Sequence, residues 1–247
     1  MTTNQEQLIK YPVWDRAIRI FHWINVLCIL GLIAVGTVIL NSKSLGVPTD
    51  GKILLKTMHV YIGYVFIVNL SWRLIWGFFG NRFSRWNAIL PFGQNYKKQR
   101  IAFINGLKQG DPAAFMGHNP LARWMVSFLF ILLSAMALTG IVLAGTDVYM
   151  SPFGGYFKSW VAETPELIST IKPYSDVGVN KEAYQAMREF RKPIITVHYY
   201  AFYILLASIF IHLTAVVVTE LRERMGLISS MITGEKIFGK KPVDLDS

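Results

Sequence analysis

Four stretches of this 247-residue chain are apolar for about residues 20–40, 53–79, 121–145 and 193–218. A helix rises ~1.5 Å per residue, so roughly 20 residues cross a hydrocarbon layer about 30 Å thick, and all four stretches reach that length. Inside lipid every backbone polar group must find an internal partner, which confines such segments to helices packed on one another. The expected fold is all-α: an integral membrane four-helix bundle, one domain over residues 1–247, with an enlarged outer loop between helices 3 and 4. Composition agrees, with 53% hydrophobic and only 16% charged residues. The first stretch is too long, and too poor in small residues after its apolar core, for a cleaved signal peptide.

Basic residues set the expected orientation. Between the second and third stretches stand Arg82, Arg85, Lys97, Lys98, Arg100 and Lys108 against one acid, Asp111, so that segment is expected on the cytoplasmic side. Arg16 and Arg19 before the first stretch agree. The segment between the third and fourth balances its basic residues with Asp147, Glu163, Glu166, Asp176, Glu182 and Glu189, as an outward-facing loop does. Both termini are then expected on the cytoplasmic side. The net charge of +10 does not signal nucleic acid, because the basic residues flank apolar spans and form no basic domain of their own. Membrane lipid is the expected surrounding. Cys28 is the single cysteine, so no disulfide forms within the chain and its role is apolar packing.

Histidines carry the chemistry. His198 and His212 lie fourteen residues apart in the fourth span. At roughly 100° and ~1.5 Å per residue the second imidazole returns within about 40° of the first, ~21 Å further along the axis. Ionisable side chains at such depth mark functional sites. Imidazole is an axial ligand for haem iron, which takes one ligand on each face. With the first helix running outward and the second and fourth inward, depth pairs His59 with His198 around an outer haem and His22 with His212 around an inner one. The crossed pairing separates its ligands by most of the membrane. Two haems are the expected cofactors.

Three further residues share this geometry. Gly36 lies fourteen positions after His22, at the height of the outer haem, where a missing side chain leaves room for the ring. Gly63 follows His59 by one turn and permits close approach in the same way; for both glycines plain helix packing is the competing reading. Arg73 lies fourteen positions after His59, at the inner height, where a haem propionate would pair with it, unless it snorkels to the headgroups. His118, in Gly117-His118-Asn119-Pro120, is expected at the surface in a structural role, with Asn119 capping the third span and Pro120 opening it. No CxxC pair, HExxH helix, GxSxG elbow or Walker loop is present, so a hydrolase reading has no support. Trp14, Trp23, Trp76, Trp86, Trp124 and Trp160 fall near span ends and are expected as interfacial anchors.

Within the outer segment a short helix is expected after Asn180, with Tyr184, Met187 and Phe190 forming an adhesive face, either as a lid or as a docking surface. After Thr219, Ile228, Met231 and Ile232 suggest an interfacial helix.

Arg19-Ile20-Phe21-His22-Trp23, His59 with Gly63, Trp72-Arg73-Leu74-Ile75-Trp76-Gly77 running into Gly80-Asn81-Arg82-Phe83, Gly117-His118-Asn119-Pro120, the His198/His212 pair and the tail Leu227-Ile228-Ser229-Ser230-Met231-Ile232-Thr233-Gly234 together resemble the prokaryotic cytochrome b561 superfamily. Within it the chain is similar to the di-haem b-type cytochrome subunits of membrane-bound nickel-iron hydrogenases. The resemblance implies a four-helix bundle with two haems b on the first, second and fourth helices. The long outer loop departs from the short connection of compact hydrogenase cytochromes, so a c-type cytochrome stands beside a hydrogenase as the outer-face partner. The expected function is transmembrane electron transfer between that partner and the quinone pool, as a subunit of an oxidoreductase complex. The alternative is a stand-alone oxidoreductase passing electrons from a small species such as superoxide to quinone.

Overall fold

The computed structural model describes residues 8–245; the expected domain range of 1–247 extends beyond them at both ends. Every apolar stretch is one continuous helix: α1 (Arg16–Leu40), α2 (Thr49–Phe79), α5 (Pro120–Val148) and α7 (Lys181–Glu223). All four are long and apolar enough to cross a membrane. Their outward faces carry Leu27, Leu30, Val65, Val68, Ile131, Leu138, Phe210 and Leu213, all well exposed, which suits a surface solvated by hydrocarbon.

Short polar side chains start these helices. Asp15 Oδ1 accepts from the Ile18 amide at 2.8 Å, Asn119 Oδ1 from Ala122 at 2.8 Å and Asn180 Oδ1 from Ala183 at 3.0 Å, each answering a donor left free in a first turn. The caps expected at Asn119 and Asn180 are therefore present.

One boundary departs from expectation. The short helix after Asn180 and the fourth span are a single 43-residue helix, and Pro193 lies inside it. Proline removes one amide donor from the ladder, yet the turns before it are held by tertiary contacts. Met187 is buried with Phe157, Val161 and Ile171, Phe190 packs on Phe157 and Trp160 at centroid distances of 5.9 and 5.8 Å, and Arg191 bonds Asp147 at 2.9 Å. These contacts outweigh the missing bond, and the helix runs through.

The connections add elements that hydropathy does not reveal. Residues 80–119 contain α3 (Trp86–Ile89) and α4 (Gln94–Lys108), and the loop after α5 contains α6 (Gly154–Val161) and a 3-10 turn (Pro165–Thr170). After α7 come α8 (Leu227–Thr233) and β2 (Glu235–Phe238), which pairs antiparallel with β1 (Ile9–Pro12), Ile9 opposite Phe238 and Pro12 opposite Glu235. Gly234 links α8 to β2 at φ +88°, and a Cβ there would lie 2.7 Å from the Trp14 carbonyl, so glycine is required on both counts. In α8, Ile228 and Ile232 are exposed while Met231 packs onto a buried cluster of Val13, Trp14, Ile18 and Phe83.

By proximity the chain divides into two compact units. One comprises the segments through Trp23, Ser71–Ile131 and from Leu206 onward; the other comprises Ile24–Leu70 and Leu132–Leu205. Each contains a portion of all four long helices. Among the tryptophans expected as anchors, Trp23 and Trp124 are exposed, whereas Trp14 is buried, Trp76 donates to Asp15 at 3.1 Å, Trp86 donates to the Leu74 carbonyl at 3.2 Å and Trp160 packs beside Phe157. Of these only Trp14 is a core residue; Trp76, Trp86 and Trp160 are half-buried, each with a polar or aromatic partner.

Candidate functional site

Helical periodicity places the histidines on inward stripes. In α7, Ala201, Leu205 and Ser208 are buried on the same stripe as half-buried His198 and His212. In α2, Phe66, Asn69, Leu70 and Arg73 continue the stripe that begins at His59. The spacing of three and four residues is the reason both ends of each stripe face inward.

Within the unit formed by Ile24–Leu70 and Leu132–Leu205, His59 and His198 face one another with ring centroids 6.5 Å apart and planes at 71°. Two imidazoles bound on opposite sides of one metal ion, at about 2 Å per bond, hold their centroids roughly 6 Å apart. The pair therefore has the spacing that a single six-coordinate iron needs. Neighbours fix each ring. A Cβ on Gly36 would stand 3.3 Å from His59 Cε1, so the glycine gives that imidazole its place; a Cβ on Gly140 would stand 3.6 Å from His198 Cε1. A Cβ on Gly63 would meet nothing within 4 Å, so one turn beyond His59 the protein leaves open space.

Thr139 faces the ring of His198. Its Oγ1 lies 2.7 Å from the Ala135 carbonyl and 2.8 Å from His198 Nδ1. A hydroxyl donating to that carbonyl accepts from Nδ1–H and leaves the Nε2 lone pair available to a metal. Nearby, Asp147 bridges Lys56 at 2.6 Å and Arg191 at 2.9 Å, which leaves a net positive charge beside the pair; Lys56 precedes His59 by one turn and Arg191 precedes His198 by two.

His22, His212, Arg73 and His118 all belong to the other unit. His22 is half-buried, and its Nδ1 is shielded without a hydrogen-bond partner. Arg73 is 4% exposed, which excludes snorkelling. Its guanidinium donates to the Ser84 carbonyl at 3.0 Å and lies over the rings of Phe130, Trp86 and Phe21 at 5.2, 5.5 and 6.0 Å. One of its terminal nitrogens is buried and unpartnered. A buried guanidinium with an unused donor in an aromatic cage is suited to an anionic group.

Sequence reasoning missed the residues that hold Arg73. Ser84, fully buried, donates through Oγ to Asp15 at 2.8 Å and lies beside Asn81. Burial works to raise the Asp15 carboxyl, but donors from Ile18, Trp76 and Ser84 hold it below its usual value, so it stays an anion.

His118 is a correction. It is half-buried against Trp14, ring centroids 5.0 Å apart, with Nδ1 shielded from solvent. The C-terminal segment brings it in. Lys236 Nζ donates to the carbonyls of Met116 and Gly117 at 2.7 and 3.1 Å, and Asp244 accepts from the amides of the same two residues at 2.7 and 2.9 Å. Burial first, then the charges of Lys236, Arg123 and Arg73, push His118 down to about 3, so it is neutral. Lys236 is itself pushed down to about 8 by burial, against the pull of Asp244.

The donor sets fit haem. Among the described residues no three His, Cys, Asp or Glu side chains converge as a metal cage, and the facing rings of His59 and His198 are the arrangement that suits a haem iron. The open space at Gly63 and the spare donor of Arg73 are what a macrocycle and its carboxylates require.

Comparison with known proteins decides the family. The family described as prokaryotic cytochrome b561 matches residues 13–234. The chain belongs to the prokaryotic cytochrome b561 family. It is thus a multi-pass membrane b-type cytochrome, a haem b protein of electron transport. It is similar to a probable Ni/Fe-hydrogenase B-type cytochrome subunit of Rhizobium leguminosarum bv. viciae, 29% identical over 241 residues, covering 92% of this chain and 88% of that one. A subunit of the same description from Cupriavidus necator is 23% identical over 92% of this chain and 86% of its own. The probable Ni/Fe-hydrogenase 1 B-type cytochrome subunit of Escherichia coli K12 is 30% identical over 156 residues, 58% of this chain and 64% of its own.

Proposed function

We propose that this cytochrome carries electrons across the bacterial inner membrane with two haems b, between a hydrogenase at the outer face and the quinone pool. The observation that carries the reading is the His59/His198 pair at 6.5 Å between centroids. His59 and His198 would hold one haem; His22 and His212, which share the unit that also contains Ser71–Ile131, would hold the other. When bound, each haem would supply one-electron exchange.

The chain's own residues tune and orient. Thr139 would keep the lone pair of His198 on Nε2. Gly36 seats His59 and Gly63 leaves room beside it. Arg73 would neutralise a propionate at the inner site. The outer partner is assigned from the relatives, which are described as hydrogenase subunits. The folded outer loop packs on the first turns of α7, which supports its reading as a lid. The basic segment between α2 and α5 supports a cytoplasmic placement of that segment and of both termini.

The test is haem stoichiometry and turnover. Purified protein should yield two haems b per chain by pyridine haemochromogen, and His59→Ala or His198→Ala should retain one. Vesicles carrying the cytochrome with its hydrogenase should reduce quinone from hydrogen, and the cytochrome alone should not. One haem in the wild type, or two in either variant, contradicts the pairing.

A further inference from the structure

A cleft of about 270 Å³ opens where α4 meets the first turns of α5, lined by Pro91, Phe92, Tyr96, Lys97, Arg100 and Trp124. Its chemistry is divided. Lys97 and Arg100 are exposed and, among the described residues, make no ion pair with a carboxylate. Asp111, the one acid between residues 80 and 120, is engaged by Lys240. Tyr96 is 5% exposed, and its hydroxyl oxygen accepts from Trp124 Nε1 at 2.8 Å. An oxygen that accepts from the indole still has its own hydrogen to donate. Two cations and a hydroxyl donor therefore border one small cleft.

The surroundings are apolar. Phe92 is 66% exposed at the mouth, and Ile101 and Ile104 are exposed along α4. From the cleft, Leu121, Trp124, Phe128 and Ile131 form an exposed ridge along α5 at the spacing of one helix face. Because α5 is a membrane-spanning candidate, that ridge faces acyl chains. A ligand satisfying both halves has an anionic head and hydrocarbon tails.

We propose that this cleft binds one anionic phospholipid, its phosphate held by Lys97, Arg100 and the Tyr96 hydroxyl and its acyl chains lying on the α5 ridge. A free phosphate would satisfy the cations and leave the ridge uncovered. An acidic partner segment would satisfy the charge and not the hydrocarbon face. Cations at a membrane surface attract anionic headgroups, and an aromatic residue beside them anchors at the same depth. The site is independent of the haem assignment.

The experiment is native mass spectrometry of the full chain in detergent. The probes are dimyristoyl phosphatidylglycerol, dimyristoyl phosphatidylcholine, inorganic phosphate and a polyglutamate peptide. The wild type should retain phosphatidylglycerol over phosphatidylcholine by roughly tenfold or more, given two cations at one headgroup. Lys97→Gln with Arg100→Gln should bring the two lipids level. Removing two exposed charges elsewhere, Lys181→Gln with Lys192→Gln, should leave the preference intact. Unchanged melting by circular dichroism identifies loss of binding as loss of the site. Equal retention of both lipids by the wild type overturns the proposal. So does a preference that survives the Lys97/Arg100 double change, or binding of phosphate or polyglutamate with the same dependence while phosphatidylglycerol binds no better than phosphatidylcholine.

Discussion

At the scale of single residues, two hydrogen-bonding details have measurable outcomes. Thr139 Oγ1 lies 2.8 Å from His198 Nδ1, and a partner accepting there raises the basicity of a ligating imidazole. Thr139→Val should weaken retention of the haem at that pair by roughly 10-fold or more and shift its midpoint potential, while the other haem keeps its own. Two unshifted potentials in a redox titration would show that the hydroxyl has no part in ligation. His118 acts through protonation. Above about 6.5 it is neutral folded and unfolded alike; as pH falls further, the unfolded chain takes up a proton that the folded chain refuses until about 3. Stability should therefore fall across that window, and thermal midpoints between pH 7 and 4 should fall less steeply in His118→Gln. Neither detail is readable from sequence. Thr139 is an unremarkable span residue until the fold brings it to the ring, and the surface placement of His118 failed because the residues that enclose it come from the far end of the chain.

At the scale of elements, the helices were legible because hydropathy and capping are local. The first three spans appear within a few residues of expectation, the fourth starts well before it, and Asn119 and Asn180 cap where expected. The separation expected between the short helix after Asn180 and the fourth span was wrong for a physical reason: hydropathy is a local signal, whereas the contacts of Met187, Phe190 and Arg191 that hold the helix continuous are not. Met187 is 1% exposed in the cluster with Phe157, Val161 and Ile171. Met187→Ala should cost about 2–5 kcal/mol, detected as a lowered thermal midpoint, with limited proteolysis cutting first in the outer loop. A neutral effect would mean that the loop does not lean on α7.

At the scale of the whole molecule, the C-terminal segment returns to close one unit. Lys236 and Asp244 satisfy both backbone amides and both carbonyls of Met116 and Gly117, and β2 pairs with β1. A chain ending at Gly234 lacks all of these. Because each histidine pair lies within one unit, the truncated chain should lose haem from His22/His212 and keep it at His59/His198, read as a haemochromogen ratio falling from two towards one. Equal loss from both pairs would contradict separate support of the two sites.

The amino-acid order alone determined four apolar helices long enough to cross a membrane and the stripes on which His59 and His198 stand. Those properties follow from length against bilayer thickness and from a fixed 100° turn, and both are one-dimensional quantities. Only the tertiary structure decided that Thr139 meets His198, what cages Arg73 and why His118 is neutral. Each of these depends on groups tens to hundreds of residues apart meeting within a few ångströms. Desolvation and hydrogen bonding act through that distance and take no account of sequence separation.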